Sequence, residues 1–183
     1  MKVLALIFCM LTSVAANSEQ KGNVSVGDNA INFSLKTIHG DDVDLNEINS
    51  KNPVVLVVLR GWPEYQCPVC TRQVGALVAD ADRFAEQGVA VFMVYPGPSE
   101  HLKEHATEFT EDFHFPENYY FTLDPDYSMV NKYGLRWEAP KETAYPSTFI
   151  IDKKGKVIFA KTSSTHGGRA SNEEIFDVLE SLK

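Results

Sequence analysis

The sequence predicts an α/β fold in which a central mixed β-sheet is flanked by helices on both faces. Three observations predict it. The run PVVLVVL at 53–59 is continuously apolar and β-branched, bounded by a proline and a glycine, as expected of a strand buried on both faces. After Cys67 and Cys70 the apolar spacing changes. Val74, Leu77, Val78, Ala81, Phe84 and Ala85 follow the i, i+3, i+4 rule of one amphipathic helix ending near Gly88. VAVFMVY at 89–95 then supplies a second buried strand, so strand, helix and strand succeed one another as in a parallel βαβ unit.

Upstream, apolar residues alternate at Ile31, Phe33 and Leu35, the period of a half-buried strand. HGDD turns the chain before Val43 and Leu45, giving a hairpin-like start. Downstream, SEHLKEHATEF at 99–109 is expected to be a helix with Ser99 as its N-cap. A short strand at 120–123, a turn at DPD and a short helix in YSMVNKY, ended by Gly134, follow. STFIIDKKGKVIFAK forms an antiparallel hairpin turning at Lys154 and Gly155. In the last helix Ser171 and Glu174 have capping-box spacing, and Ile175, Phe176, Val178, Leu179 and Leu182 form the apolar face. No internal repeat or second domain interrupts this order.

The first residues belong to a different category. Lys2, the apolar stretch VLALIFCMLTSV and the small residues VAA before Asn17 have the layout of a secretory signal peptide over 1–16. Its 12 apolar-to-neutral residues fall short of the roughly 20 needed to span a bilayer. LIF before Cys9 does not suit a lipoprotein. Residues 17–26 are polar and small, a flexible lead-in, and 27–183 form the single folded domain. The expectation is an exported protein, periplasmic or secreted, whose mature chain does not insert in a membrane. Its formal net charge of −8 becomes more negative once Lys2 is removed, so nucleic acid and anionic membranes are poor partners.

Cleavage would also remove Cys9, leaving Cys67 and Cys70 alone. A secreted domain stapled by disulfides carries four or more cysteines along its length. Closing so short a loop restrains little of the unfolded chain, so the pair points to chemistry. A cysteine at a helix start meets unsatisfied N–H groups and the positive end of the helix dipole, both of which favour the nucleophilic thiolate. Pro68 suits the first helical position. Cys67 is therefore expected to attack and Cys70 to resolve, the two forming a redox-active disulfide. A structural zinc site would need two further ligands, for which only His101 and His105 form a pair; a purely structural disulfide is the other alternative. No metal or other cofactor is called for.

The stretches VGDNAINFSL, GDDVDLNEI, NPVVLVVLRGWPEYQCPVC, FTLDPDYSMVNKYGL and YPSTFIIDKKGKVIF resemble the alkyl hydroperoxide reductase and thiol-specific antioxidant group of thioredoxin-fold redoxins. The resemblance runs from residue 26 to the C-terminus and implies a thioredoxin-like fold. Peroxiredoxins of that group carry a proline, a threonine or serine four residues on, and the peroxidatic cysteine seven on. Pro63, Cys67 and Cys70 occupy those places, so Cys70 matches the peroxidatic position while Cys67 replaces the hydroxyl residue. The group also has an arginine shortly before its TFIID strand, where this chain has Pro146. That proline resembles the cis-proline with which thioredoxins hold substrate backbone against C-x-x-C.

Arg60, at the end of the central strand, is a candidate for stabilising a thiolate, or a surface arginine paired with a carboxylate. Trp62 is a candidate for substrate binding or for packing, Glu64 and Tyr65 for shaping access, and His166 for a loop residue. The leading expectation is a thiol:disulfide oxidoreductase acting through Cys67 and Cys70 on protein or small-molecule thiols and disulfides. The second is a thiol peroxidase acting on hydroperoxides, with Cys70 peroxidatic and Cys67 resolving. The third is a copper-binding module, for which only His166 could complete the ligands.

Overall fold

A computed structural model describes residues 22–181. The expected signal peptide lies outside them. The chain runs β1 (Ser34–Thr37), β2 (Asp42–Asp44), α1 (Leu45–Asn49), β3 (Val54–Val58), α2 (Pro68–Ala79), α3 (Ala81–Glu86) and β4 (Ala90–Gly97). It continues as α4 (Leu102–Thr110), β5 (Tyr119–Pro125), α5 (Ser128–Lys132), β6 (Ser147–Ile151), β7 (Val157–Thr162) and α6 (Asn172–Glu180).

The strands form one seven-stranded sheet in the order β2-β1-β5-β4-β3-β6-β7. β3, β4 and β5 are parallel, whereas β1 joins β5, and β6 joins β3, in antiparallel register. Leu56 of β3 sits between Phe92 of β4 and Phe149 of β6. The two-residue period divides the apolar side chains between two cores. Val55, Val57, Val91, Met93 and Ile150 face α2, α3, α4 and α6, with Val74, Leu77, Phe84, Phe109, Phe176 and Leu179 packed on them. Val54, Leu56, Phe92 and Phe149 face the other way, against Phe33, Leu45, Met129 and Tyr133. The mixed sheet with helices on both faces is as the sequence implies.

Four local differences have physical reasons. The expected single helix after the cysteines divides at Asp80, whose backbone (φ −99°, ψ 19°) leaves helical geometry and whose carboxylate accepts a hydrogen bond from Asn172 at 2.7 Å. α4 begins at Leu102, not at Ser99, because the left-handed backbone of His101 (φ 59°) interrupts helical geometry; the Ser99 N–H donates to Asp126 at 2.9 Å. α1 is an additional turn of helix, nucleated by Asp44, whose carboxylate accepts from the Glu47 N–H. Part of the expected lead-in is anchored, with Val24 in the second core and the Asn23 N–H donating to the Tyr133 carbonyl at 2.8 Å, while Val26 stays exposed.

Candidate active site

β3 delivers the chain to the site and α2 receives it. Past Val58, the Leu59 N–H donates to the Val94 carbonyl at 2.9 Å and the Trp62 N–H to the Pro96 carbonyl at 3.0 Å, so this exit is tied to β4. Between them Gly61 has φ 69°, and a Cβ there would lie 1.8 Å from the Pro96 carbonyl oxygen. Only glycine allows that approach.

Cys67 is the N-cap residue of α2, in extended backbone (φ −80°, ψ 111°), with Pro68 at the first helical position and Cys70 one turn in. Both thiols are free. Cys67 is 2% exposed and Cys70 wholly buried. Their environments drive them apart. The Cys70 thiol donates to the Cys67 sulfur, and with the Cys70 amide, Arg169 and Arg60 this outweighs burial and holds Cys67 well below the usual thiol value, at about 4. No hydrogen bond of cap geometry closes on the Cys67 sulfur, so the amide acts as a nearby dipole. Burial pushes the Cys70 thiol up, the Cys67 sulfur pushes it further, and Arg169 opposes both.

Two arginines flank the pair. Arg60 is 1% exposed; its Nε donates to Glu142 Oε2 at 2.5 Å, Nη1 to the Tyr65 hydroxyl at 2.7 Å and Nη2 to the Lys141 carbonyl at 2.6 Å. Burial disfavours its charge, but the bonds to Glu142, Tyr65 and Cys67 prevail and hold it protonated. Glu142 in turn contacts His166 Nε2 through Oε1 at 2.8 Å. Despite some burial, the bonds from Arg60 and His166 keep the Glu142 carboxyl below its ordinary value. Arg169 comes from the loop before α6. Its Nη2 lies 3.3 Å from Cys70 Sγ and 4.0 Å from Cys67 Sγ, while Nη1 donates to Gln73 Oε1 at 2.6 Å and Nε to the His166 carbonyl at 3.0 Å. Arg169 also borders a cleft of about 410 Å³ between α2 and this loop, with Val69, Arg72, Gln73 and Ala76.

Cys67, Cys70 and Arg60 are thus brought together. Trp62 is half-buried in the same loop, its ring stacked 3.6 Å from that of His105 at 11°. Pro146 is buried at the start of β6, and its carbonyl accepts from the Ser163 N–H at 2.9 Å. The cis geometry implied by the resemblance is corrected: no cis peptide occurs among the described residues, and an X–Pro bond favours trans by about 0.5–1 kcal/mol. His166 is more than a loop residue, since it carries one end of the Glu142 contact and meets Trp137 edge-on at 5.5 Å. Arg169, Glu142 and Gln73 are the site residues that sequence reasoning missed. Gln73 stands one turn beyond Cys70, the single spacing signal among them. Among the described residues no group of three or more His, Cys, Asp or Glu side chains could hold a metal ion.

A sheet of this order, with a C-x-x-C pair capping the helix after its central strand, defines a thioredoxin-like oxidoreductase. More particularly, the chain belongs to the AhpC/TSA family, whose model matches residues 26–160. It is 25% identical to the thiol-disulfide oxidoreductase ResA of Bacillus subtilis over 183 residues, covering 99% of this chain and 90% of that one. With the peroxiredoxin Bcp of the same organism it shares 26% identity over 141 residues, covering 74% and 83%. Peroxidoxin BcpB from Mycobacterium tuberculosis has a similar fold, with a TM-score of 0.68 at 21% identity, covering 88% of this chain and 99% of that chain.

Proposed function

We propose that the protein is a thiol:disulfide oxidoreductase in which Cys67 attacks and Cys70 resolves. The observation that carries this reading is the asymmetry of the pair: a thiolate-favouring sulfur at the head of α2 and a fully buried, thiol-favouring one a turn inside. The Cys67 thiolate attacks one sulfur of a partner disulfide, forming a mixed disulfide and releasing the other partner sulfur as thiolate. Cys70, once deprotonated, attacks Cys67; the Cys67–Cys70 disulfide forms and the second partner sulfur leaves. The partner gains two electrons and the C-x-x-C pair loses them. The same steps in reverse oxidise a dithiol.

The likeness to ResA supports this chemistry. The likeness to Bcp and the guanidinium at Cys70 favour a second reading, peroxide reduction at Cys70. Against it, a thiol raised by burial is a poor first nucleophile. One comparison separates the two. Disulfide exchange should be lost in Cys67→Ser and should stop at the mixed disulfide in Cys70→Ser. Single-turnover peroxide consumption that survives Cys67→Ser and vanishes in Cys70→Ser would establish the peroxidase instead. The substrates are protein or small-molecule disulfides and thiols, met outside the cytoplasm after removal of residues 1–16. N-terminal sequencing of the processed protein should start at Asn17; an intact Met1 end on the exported chain would contradict that processing.

A further inference from the structure

We propose that Arg169 is a catalytic residue of the second, resolving step, supplying the positive charge that lets buried Cys70 become a nucleophile. The proposal rests on the assignment of Cys67 as attacker. Arg169 lies outside the residues that the family model matches, which end at 160.

The argument begins from what the first step does to Cys70. In the dithiol, the Cys70 thiol donates to the Cys67 sulfur, which needs that support because it carries negative charge. Once Cys67 is bound in a mixed disulfide, that charge has passed to the departing partner sulfur and the hydrogen bond has lost its acceptor. Cys70 must now lose its proton in a position with no solvent exposure, where burial disfavours the anion. A cation at contact distance is what the position requires. Arg169 Nη2 is 3.3 Å from Cys70 Sγ, against 4.0 Å from Cys67 Sγ. Its other two nitrogens donate to Gln73 Oε1 and the His166 carbonyl, so the guanidinium is fixed before reaction with Nη2 toward the sulfurs. Arg60 makes no hydrogen bond to Cys70; its nitrogens donate to Glu142, Tyr65 and Lys141.

The step balances simply. The first partner sulfur has already left as thiolate, and the proton that Cys70 gives up passes to water or buffer. The Cys70 thiolate, paired with Arg169, attacks Cys67 Sγ; the Cys67–Cys70 bond forms as the mixed disulfide breaks. The second partner sulfur then leaves as thiolate.

The test is stopped-flow reaction of the reduced protein with 5,5′-dithiobis(2-nitrobenzoate), in which attack by Cys67 and resolution by Cys70 each release one coloured thiolate, in two phases. An opposite charge lowers a neighbouring pKa by about 1–3 units. With a shift of about two units, the thiolate fraction falls about 100-fold in Arg169→Met while its intrinsic nucleophilicity rises about 8-fold, so the second phase should slow about 10-fold. The first phase should change less, since Arg60 and the α2 amides remain. The pH profile of the second phase should move to higher pH, and Arg169→Lys should restore part of the rate; loss of packing alone would give neither. A second phase with unchanged rate and pH profile in Arg169→Met, alongside an intact first phase, overturns the assignment of Arg169 alone. A first phase that persists in Cys67→Ser and disappears in Cys70→Ser overturns the role of Cys67, and the resolving role of Arg169 with it.

Discussion

Cys67 shows how far a helix start and its neighbours can move one thiol. Free cysteine titrates near about 8.5, so its alkylation slows steadily as pH falls through neutrality. For Cys67 the rate with iodoacetamide should stay flat from pH 9 downward and fall only as pH approaches about 4. Ordinary titration near pH 8 would show that neither the Cys70 thiol nor the flanking arginines act on it. Glu142 is the residue on which Arg60 depends, because its side chain, 12% exposed, is the carboxylate partner of a guanidinium that is 1% exposed. Glu142→Ala leaves that charge buried without its counter-ion and should cost about 3 kcal/mol in urea unfolding. Its folded-state pKa is depressed, so its contribution is complete above the ordinary carboxylate range and disappears as pH falls through the folded value. The difference between wild type and Glu142→Ala should therefore shrink in acid. Little of this was legible beforehand. Arg60 could be suspected from its place after a buried strand, but Glu142 stands 82 residues away and Arg169 stands 99 from Cys70, with no period or spacing to connect them.

Among the elements, those with a strong period were legible and those set by single side chains were not. β3 and β4 could be found because both their faces are buried, so every position is apolar. α6 could be found because Ser171 and Glu174 bond reciprocally as their spacing implies. α1 carried a readable signal in Asp44 followed three residues later by Glu47, but the alternation on either side hid it. The break between α2 and α3 had no comparable signal: it depends on Asp80 meeting Asn172, far along the chain. Gly61 is the element-scale test, since the turn from β3 toward α2 requires its left-handed backbone and its close approach to Pro96. Gly61→Ala should cost about 3 kcal/mol. It should also slow Cys67 alkylation by displacing Arg60 and the loop from β4. A variant with wild-type denaturation midpoint would show that the turn yields without strain.

At the scale of the whole molecule, the apolar alternation that names strands also assigns each side chain to one of two cores, and this is why the architecture could be read so fully. The first core depends on the C-terminal helix, which contributes Ile175, Phe176 and Leu179, each at most 3% exposed. Burying three such side chains contributes about 4–9 kcal/mol, comparable with the entire stability of an ordinary domain. A chain ending after Thr162 should therefore lose its cooperative thermal transition, although it retains every strand and both cysteines; a sharp transition in that fragment would show that the sheet is self-sufficient. The position of Arg169 extends the consequence to synthesis. During translation both sulfurs are made about a hundred residues before the guanidinium that reaches them, so the growing chain carries two thiols without their later partner. On the proposed role of Arg169, the centre reaches its full reactivity only after the segment that carries this guanidinium has been made and folded back onto sulfurs synthesised long before it.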